Sequence, residues 1–154
     1  MRVYLVQHGE AKPETEDPSR PLTDCGREGV QRVAQHAAAL KLPVSEIHHS
    51  GKLRARQTAE ILAAALAPGR GVRQMDGLAP GDDPAKARAV VESAVEPLML
   101  VGHLPHLSRL ASMLLAGDPE RHIIQFRNGG IVCLVKSDGG WLLQWVLTAE
   151  LAGS

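Results

Sequence analysis

The sequence predicts an α/β fold: a mostly parallel sheet with helices on both faces, closed by a C-terminal antiparallel hairpin. Short apolar runs alternate with longer stretches in which apolar residues recur every three or four positions. Repeated strand–helix units of this kind imply a parallel sheet covered on both sides. The last two apolar runs have no helix between them. They are joined by Asp138-Gly139-Gly140, a hairpin signal.

The elements follow in order. Met1 to Val6 is the first strand, with Val3-Tyr4-Leu5-Val6 as a buried run, and Gly9 stops it. Thr23 caps a helix whose apolar stripe is Val30, Val33, Ala34, Ala37 and Leu40. Pro43 breaks the chain before a second strand, Val44 to His49. A helix with Thr58, Ile61, Leu62, Ala65 and Leu66 on one face ends at Pro68-Gly69-Arg70-Gly71. Val72 to Met75 is a short third strand, and Gly77 to Pro84 a Gly/Pro-rich loop. Asp83-Pro84 opens the next helix with a capping carboxylate followed by Pro at the first helical position. Leu98 to Val101 is a fully apolar strand, and Leu107, Leu110, Ala111, Leu114 and Leu115 form one more helical stripe. Ile131 to Lys136 and Trp141 to Leu147 make the hairpin, where parity puts Trp141 and Trp145 on the same core-packing face.

Length and charge bound the function. The 154 residues read as one domain, 1–154, with room for a real core. Lysines plus arginines equal aspartates plus glutamates at 17 each, so no basic surface points to nucleic acid and no polybasic stretch to a membrane. Aromatic side chains make up only 3%, too few for base-stacking platforms. No apolar run approaches a membrane span, and no signal peptide precedes the first strand. Cys25 and Cys133 lack CxxC spacing and read as reduced thiols, which fits a cytoplasmic home.

Three strand ends carry the chemistry. The first ends in Gln7-His8-Gly9. The second ends in His49-Ser50-Gly51, with Lys52, Arg54 and Arg56 in the next turn. The fourth ends in Gly102-His103, with Pro105 opening a helix. In a parallel sheet these ends share one edge, where such folds bind ligands. Two histidines, several cations and helix N-termini converging there suit an anion. The Arg54 guanidinium offers a planar fork to phosphate oxygens, and Arg56 reads as the solvated one of the pair. No acidic triad accompanies His8, and no Gly-rich nucleotide loop occurs. The chemistry suggested is phosphoryl transfer, with cations stabilising charge on the transferred group. His103 and His106 stand three apart, as metal ligands can, but no third ligand cluster supports a metal. His36 and His122 read as surface residues. His48 and His49 alternate faces of a strand, and one of them can border the crevice.

Gln7-His8-Gly9, the run Ser50-Gly51-Lys52-Leu53-Arg54-Ala55-Arg56-Gln57-Thr58-Ala59-Glu60, and Val101-Gly102-His103-Leu104-Pro105 resemble the three signatures of the histidine phosphatase superfamily, branch 1. Pro21-Leu22-Thr23-Asp24-Cys25-Gly26 is similar to its Leu-Thr-x-x-Gly helix start. The short length, Arg20-Pro21-Leu22-Thr23 and the short Gly77–Pro84 insert look most like the bacterial phosphohistidine phosphatases of SixA type. The resemblance spans nearly the whole chain and implies a three-layer α/β/α sandwich of the phosphoglycerate-mutase-like kind. It implies that His8 is the nucleophile, forming a phosphohistidine intermediate, and that Arg54 and His103 line the phosphate pocket. Gln7, Gly9, Arg20, Lys52 and Asp82 are the accompanying substrate-binding candidates. No metal or other cofactor is implied. The partner is a phosphorylated protein or a small phosphorylated metabolite.

The chain departs from the pattern at Gln7, where relatives carry Arg. Gln keeps a hydrogen-bond donor and loses the charge, so a replacement cation is expected from Lys12, Arg20 or Lys52. Of the candidate acids, Asp83 reads as a helix cap and Asp82 as a weak general-acid candidate. A weak acid inventory favours phosphohistidine as substrate, because imidazole needs less protonation help to leave than an alkoxide. Two other readings stand beside this: a small-molecule phosphomonoesterase, and a weakly active phosphate- or phosphoprotein-binding module motivated by Gln7.

Overall fold

The structure, a computed structural model, describes residues 1–153. Six strands form one mixed sheet in the order β3-β2-β4-β1-β5-β6. The strands are β1 (Arg2–Gln7), β2 (Glu46–His49), β3 (Val72–Gln74), β4 (Leu98–Gly102), β5 (Ile131–Ser137) and β6 (Gly140–Leu147). The helices are α1 (Asp24–Ala39), α2 (Leu53–Leu66), α3 (Pro84–Ser93) and α4 (His106–Ala116). β1, β2, β3 and β4 run parallel, β5 pairs antiparallel with β1, and β6 antiparallel with β5.

Strand parity sorts the core into two layers. Tyr4, Val6, Ile47, Met99 and Val101 face α1 and α2, packing with Val30, Val33, Ala59 and Leu62. Val3, Leu5, Leu98 and Leu100 face the other way, against Val91 of α3 and Leu107 and Leu110 of α4. Each buried aliphatic side chain contributes about 1.5–3 kcal/mol, so both helical layers are held by the same central strands. This is the α/β/α sandwich expected.

The helix starts obey local chemistry. The Thr23 hydroxyl accepts from the Gly26 amide and caps α1, while Asp83 accepts from Ala85 and caps α3 with Pro84 just inside. α2 stops at Ala67, whose φ is 47°, and α4 at Gly117, whose φ is 73°.

One expectation is corrected. Trp141 and Trp145 do not share a face. The β5–β6 register shifts between Cys133 and Leu134: Cys133 pairs with Trp145, but Leu134 pairs with Leu143. The extra residue, Gln144, is a β-bulge and inverts parity beyond it. Trp141 packs in the α3/α4 layer and Trp145 in the α1/α2 layer, 6.1 Å from the Tyr4 ring. No helix among the described residues is long and apolar enough to cross a membrane.

Candidate active site

The strand order explains where the crevice forms. β1 leads through α1 to β2 on one side. β4, its hydrogen-bonded neighbour, leads through α4 across β1 to β5, on the opposite face. The two connections diverge, and the gap between the carboxyl ends of β1 and β4 is a topological switch point. Gln7 pairs with Gly102 in register, so the next residue of each strand, His8 and His103, emerges into that gap.

The two imidazoles stand with ring centroids 5.0 Å apart, inclined by 53°. His8 Nδ1 donates to the Gly9 carbonyl at 2.7 Å. A carbonyl only accepts, so this bond places the proton on Nδ1 and leaves Nε2 with a free lone pair. Burial above all, with Arg54 and Arg20 adding repulsion against the Gly9 bond, lowers the His8 pKa to about 4. The ring is therefore neutral near neutral pH, as a nucleophile must be. His103 is only 1% exposed. Burial first, then the charges of His8, Arg54, Lys52 and His106, pull its pKa to about 3. His103 Nε2 meets the Ser50 hydroxyl at 2.6 Å, and its Nδ1 is buried without a partner.

Arg54, in the first turn of α2, has a buried and unpartnered Nε, and burial and Arg20 lower its pKa. A buried guanidinium nitrogen with no protein acceptor is suited to pairing with an anion's oxygen. Arg20 reaches the same cluster from the 11–22 loop, whose ends are joined by the Ala11–Leu22 bridge. Its Nε donates to the Lys12 carbonyl at 3.0 Å. Lys12 itself is drawn towards Glu16, at 3.9 Å. Lys52 is the exposed N-cap residue of α2. Of the three candidate replacement cations, Arg20 is the one whose charge is felt by both His8 and Arg54.

The remaining candidates take supporting places. Gln7 is half-buried, with Oε1 buried and unpartnered. The Gly9 amide is engaged, donating to Thr58 Oγ1 at 3.0 Å, and a Cβ on Gly9 would lie 2.7 Å from Val30 Cγ2. Gly9 thus supplies clearance under the His8 turn. Asp82 Oδ2 accepts from the Ala79 amide at 3.0 Å, and the residue lines an open side cavity of about 480 Å³ together with Ser50, Asp76, Gly77, Asp83 and Lys86. Asp83 is the helix cap expected, and Arg56 lies exposed beside Glu60. His36 and His122 are exposed. His49 Nδ1 accepts from the Gly51 amide, holding the turn after β2. His48 faces away, at 2.9 Å from Glu46. Among the described residues no group of three or more His, Cys, Asp or Glu side chains stands where it could hold a metal ion.

Several contributors were not singled out from sequence. The Thr58 hydroxyl accepts from Gly9 and donates to the Arg54 carbonyl at 2.8 Å, tying the His8 turn to the turn carrying Arg54. Gln57 Oε1 accepts from the Leu22 amide at 2.8 Å, locking α2 to the start of α1. Asn128 donates to the His8 carbonyl at 3.0 Å, and the Gly129 amide to the Gln7 carbonyl at 2.8 Å. Gln57, Thr58 and Ser50 lie inside the sequence run already described. Asn128 had no local signal.

The comparisons with known proteins agree with this geometry. Residues 3–79 match the histidine phosphatase superfamily (branch 1). The chain is 39% identical over 142 residues to an uncharacterised protein of Picosynechococcus sp. (strain ATCC 27264 / PCC 7002 / PR-6), covering 87% of this chain and 84% of that one. Among solved structures it is similar to the protein histidine phosphatase SixA in complex with tungstate, with a TM-score of 0.81 at 24% identity, covering 97% of both chains. It is also similar to a putative α-ribazole-5′-P phosphatase from Escherichia coli, with a TM-score of 0.79 at 16% identity over the full length of both. At these identities the two structures speak for the shared phosphoglycerate-mutase-like fold. The family match and the ordered motifs say more: the chain belongs to branch 1 of the histidine phosphatase superfamily, generally hydrolytic phosphatases.

Proposed function

We propose that this protein removes the phosphoryl group from phosphohistidine in a protein substrate, by double displacement through His8. The observation that carries the reading is the His8 ring itself: neutral, with Nδ1 tied to Gly9, and its free Nε2 beside His103 and the Arg54–Arg20 pair. Nε2 attacks phosphorus while the guanidiniums hold the oxygens, giving a covalent phosphohistidine that water then hydrolyses. Arg20 takes the role of the missing Arg at position 7. The similarity to SixA bound to tungstate, a phosphate-like oxyanion, fits an anion pocket.

The choice of substrate rests on acid supply. Among the described residues no carboxylate is hydrogen-bonded to His8 or His103, and Asp82 is engaged by the Ala79 amide. Such a site suits a leaving group of low basicity such as imidazole. The second reading, a small-molecule phosphomonoesterase, is favoured by the side cavity beside Ser50. The unpaired thiols Cys25 and Cys133 fit a cytoplasmic setting.

The test compares kcat/KM for a phosphohistidine peptide with that for an alkyl phosphate, and traps the intermediate. The peptide should be hydrolysed faster, and label from it should sit on His8, stable to alkali and lost in acid. His8→Ala should carry none. Faster turnover of the alkyl phosphate would establish the phosphomonoesterase instead. Phosphate binding without turnover of either would leave a binding module.

A further inference from the structure

We infer that Ser50 is a catalytic residue of this site, the last link of a relay that carries a proton between His103 and the leaving group. The inference rests on the reading of His8 as nucleophile.

The geometry is specific to this hydroxyl. Ser50 follows β2, and its Oγ lies 2.6 Å from His103 Nε2. The Lys52 backbone amide donates to the same oxygen at 3.3 Å. An oxygen that accepts from Lys52 N–H and from His103 Nε2–H has its own proton left to donate elsewhere. Ser50 lies two residues before Lys52, the N-cap of α2, so the positive end of the helix favours negative charge on its oxygen. Ser50 is also the residue shared between His103 and the side cavity. A leaving group needs space next to a proton donor, and the cavity that Ser50 lines offers such space.

The alternatives are engaged elsewhere. Asp83 caps α3, and Asp82 holds the Ala79 amide. Neither bonds His8, His103 or Ser50. His106 is fully buried, and both its ring nitrogens lack hydrogen-bond partners. Neither ring nitrogen bonds His8, His103 or Ser50.

The proton accounting closes in both half-reactions. A phosphoryl dianion between His8, His103 and Arg54 favours the imidazolium form of His103. As the bond from His8 Nε2 to phosphorus forms, the bond to the leaving atom breaks and its electron pair stays on that atom. The leaving atom takes the Ser50 proton, Ser50 takes the proton from His103 Nε2, and His103 is left neutral. In the second half-reaction water attacks phosphorus and gives one proton to Ser50, which returns its own to His103. The phosphorus–His8 bond breaks, inorganic phosphate forms and the starting state is restored. The proton drawn on is that of the His103 imidazolium, a weaker acid than a carboxylic acid, and it passes to whichever atom leaves, nitrogen or oxygen.

The test measures single-turnover phosphorylation of His8 by aryl phosphates ranging from dinitrophenyl to plain phenyl, in wild type, Ser50→Ala and Ser50→Thr. General-acid loss is worth about 10²–10⁴-fold when the leaving group is basic. Ser50→Ala should therefore lose on the order of 10²-fold on phenyl phosphate and less than about threefold on the dinitrophenyl ester. Its rate should depend more steeply on leaving-group basicity than that of wild type. Ser50→Thr keeps the hydroxyl and should restore the shallow dependence. A uniform loss across the series, or none, would overturn the relay, since a merely structural role moves every rate together. Steepening in an enzyme that ignores phosphohistidine peptides would support the relay and discard the substrate proposed above. A wild type inert toward the whole series yet active on phosphohistidine peptides would overturn the relay alone, and one inert toward both would overturn the relay and the proposed function together.

Discussion

Arg20 sits in the left-handed region with φ of 49°, a conformation costing a non-glycine residue about 1–3 kcal/mol. The loop holds it there through its amide to the Asp17 carbonyl at 2.9 Å and its Nε to the Lys12 carbonyl at 3.0 Å. We propose that this cation, whose charge reaches both His8 and Arg54, makes up for the guanidinium that the family resemblance leads one to expect where this chain has Gln7. Charge-assisted hydrogen bonds contribute about 1.5–3 kcal/mol, so Arg20→Ala should lower kcat/KM by roughly ten- to 150-fold. Gln7→Arg should restore much of that loss on the Arg20→Ala background. Steady-state kinetics on the two single variants and the double variant make the measurement. Rates that multiply across the double variant would mean that the two positions serve different places. At this scale the sequence was legible wherever a candidate residue lay in a motif at or just after a strand end: His8, Arg54 and His103. It was silent on Asn128, because a loop residue 120 positions away that grips the His8 carbonyl leaves no local pattern.

At the scale of elements, the start of α1 shows why a short signature contains a glycine. Thr23 Oγ1 caps the helix by accepting from the Gly26 amide, and its own amide donates to the Glu10 carbonyl at 3.0 Å. That bond draws the chain after His8 onto the first helical turn. A Cβ on Gly26 would lie 2.1 Å from the Glu10 carbonyl oxygen, a backbone atom that cannot step aside. Alanine favours a helix over glycine by about 1 kcal/mol, while overpacking costs about 1–3 kcal/mol. With backbone as the obstacle the clash wins. Gly26→Ala should lower stability by about 1–2 kcal/mol in denaturant titration, and activity should fall further because Glu10 lies two residues from His8. An increase in stability would mean that the loop relaxes freely. Periodicity read the helices and strands well, since a stripe such as Val30, Val33, Ala34 and Ala37 has one way to be buried. It failed beyond the bulge at Gln144, because parity arguments assume an unbroken register and nothing local in Leu142-Leu143-Gln144 announces the extra residue.

At the scale of the whole molecule, the switch point that exposes two strand ends to a ligand also buries two imidazoles close together, and that links stability to pH. His8 and His103 have pKa values lowered to about 4 and about 3, from the 6.5 of an exposed histidine. Burial lowers His106 as well. For each group the unfolded chain binds a proton that the folded chain refuses, over the interval between the two values. Stability therefore rises with pH across that interval and is lost as pH falls from 6.5 towards the folded-state values. One pKa unit corresponds to 1.36 kcal/mol, and water in the open pocket screens part of it. His8 alone should then account for on the order of 2–3 kcal/mol. Thermal unfolding should show Tm roughly level above pH 7 and dropping steeply between about pH 6.5 and pH 4. Inorganic phosphate or vanadate should flatten the drop, because an anion in the pocket stabilises the protonated rings. His8→Asn should flatten it too, while leaving the plateau at high pH nearly unchanged. A wild-type Tm that holds level from pH 7 to pH 4 would mean that the two rings accept protons in the folded state as readily as in water. Burial would then contribute nothing to keeping His8 neutral, and activity would fall below about pH 6.5 as for an exposed imidazole.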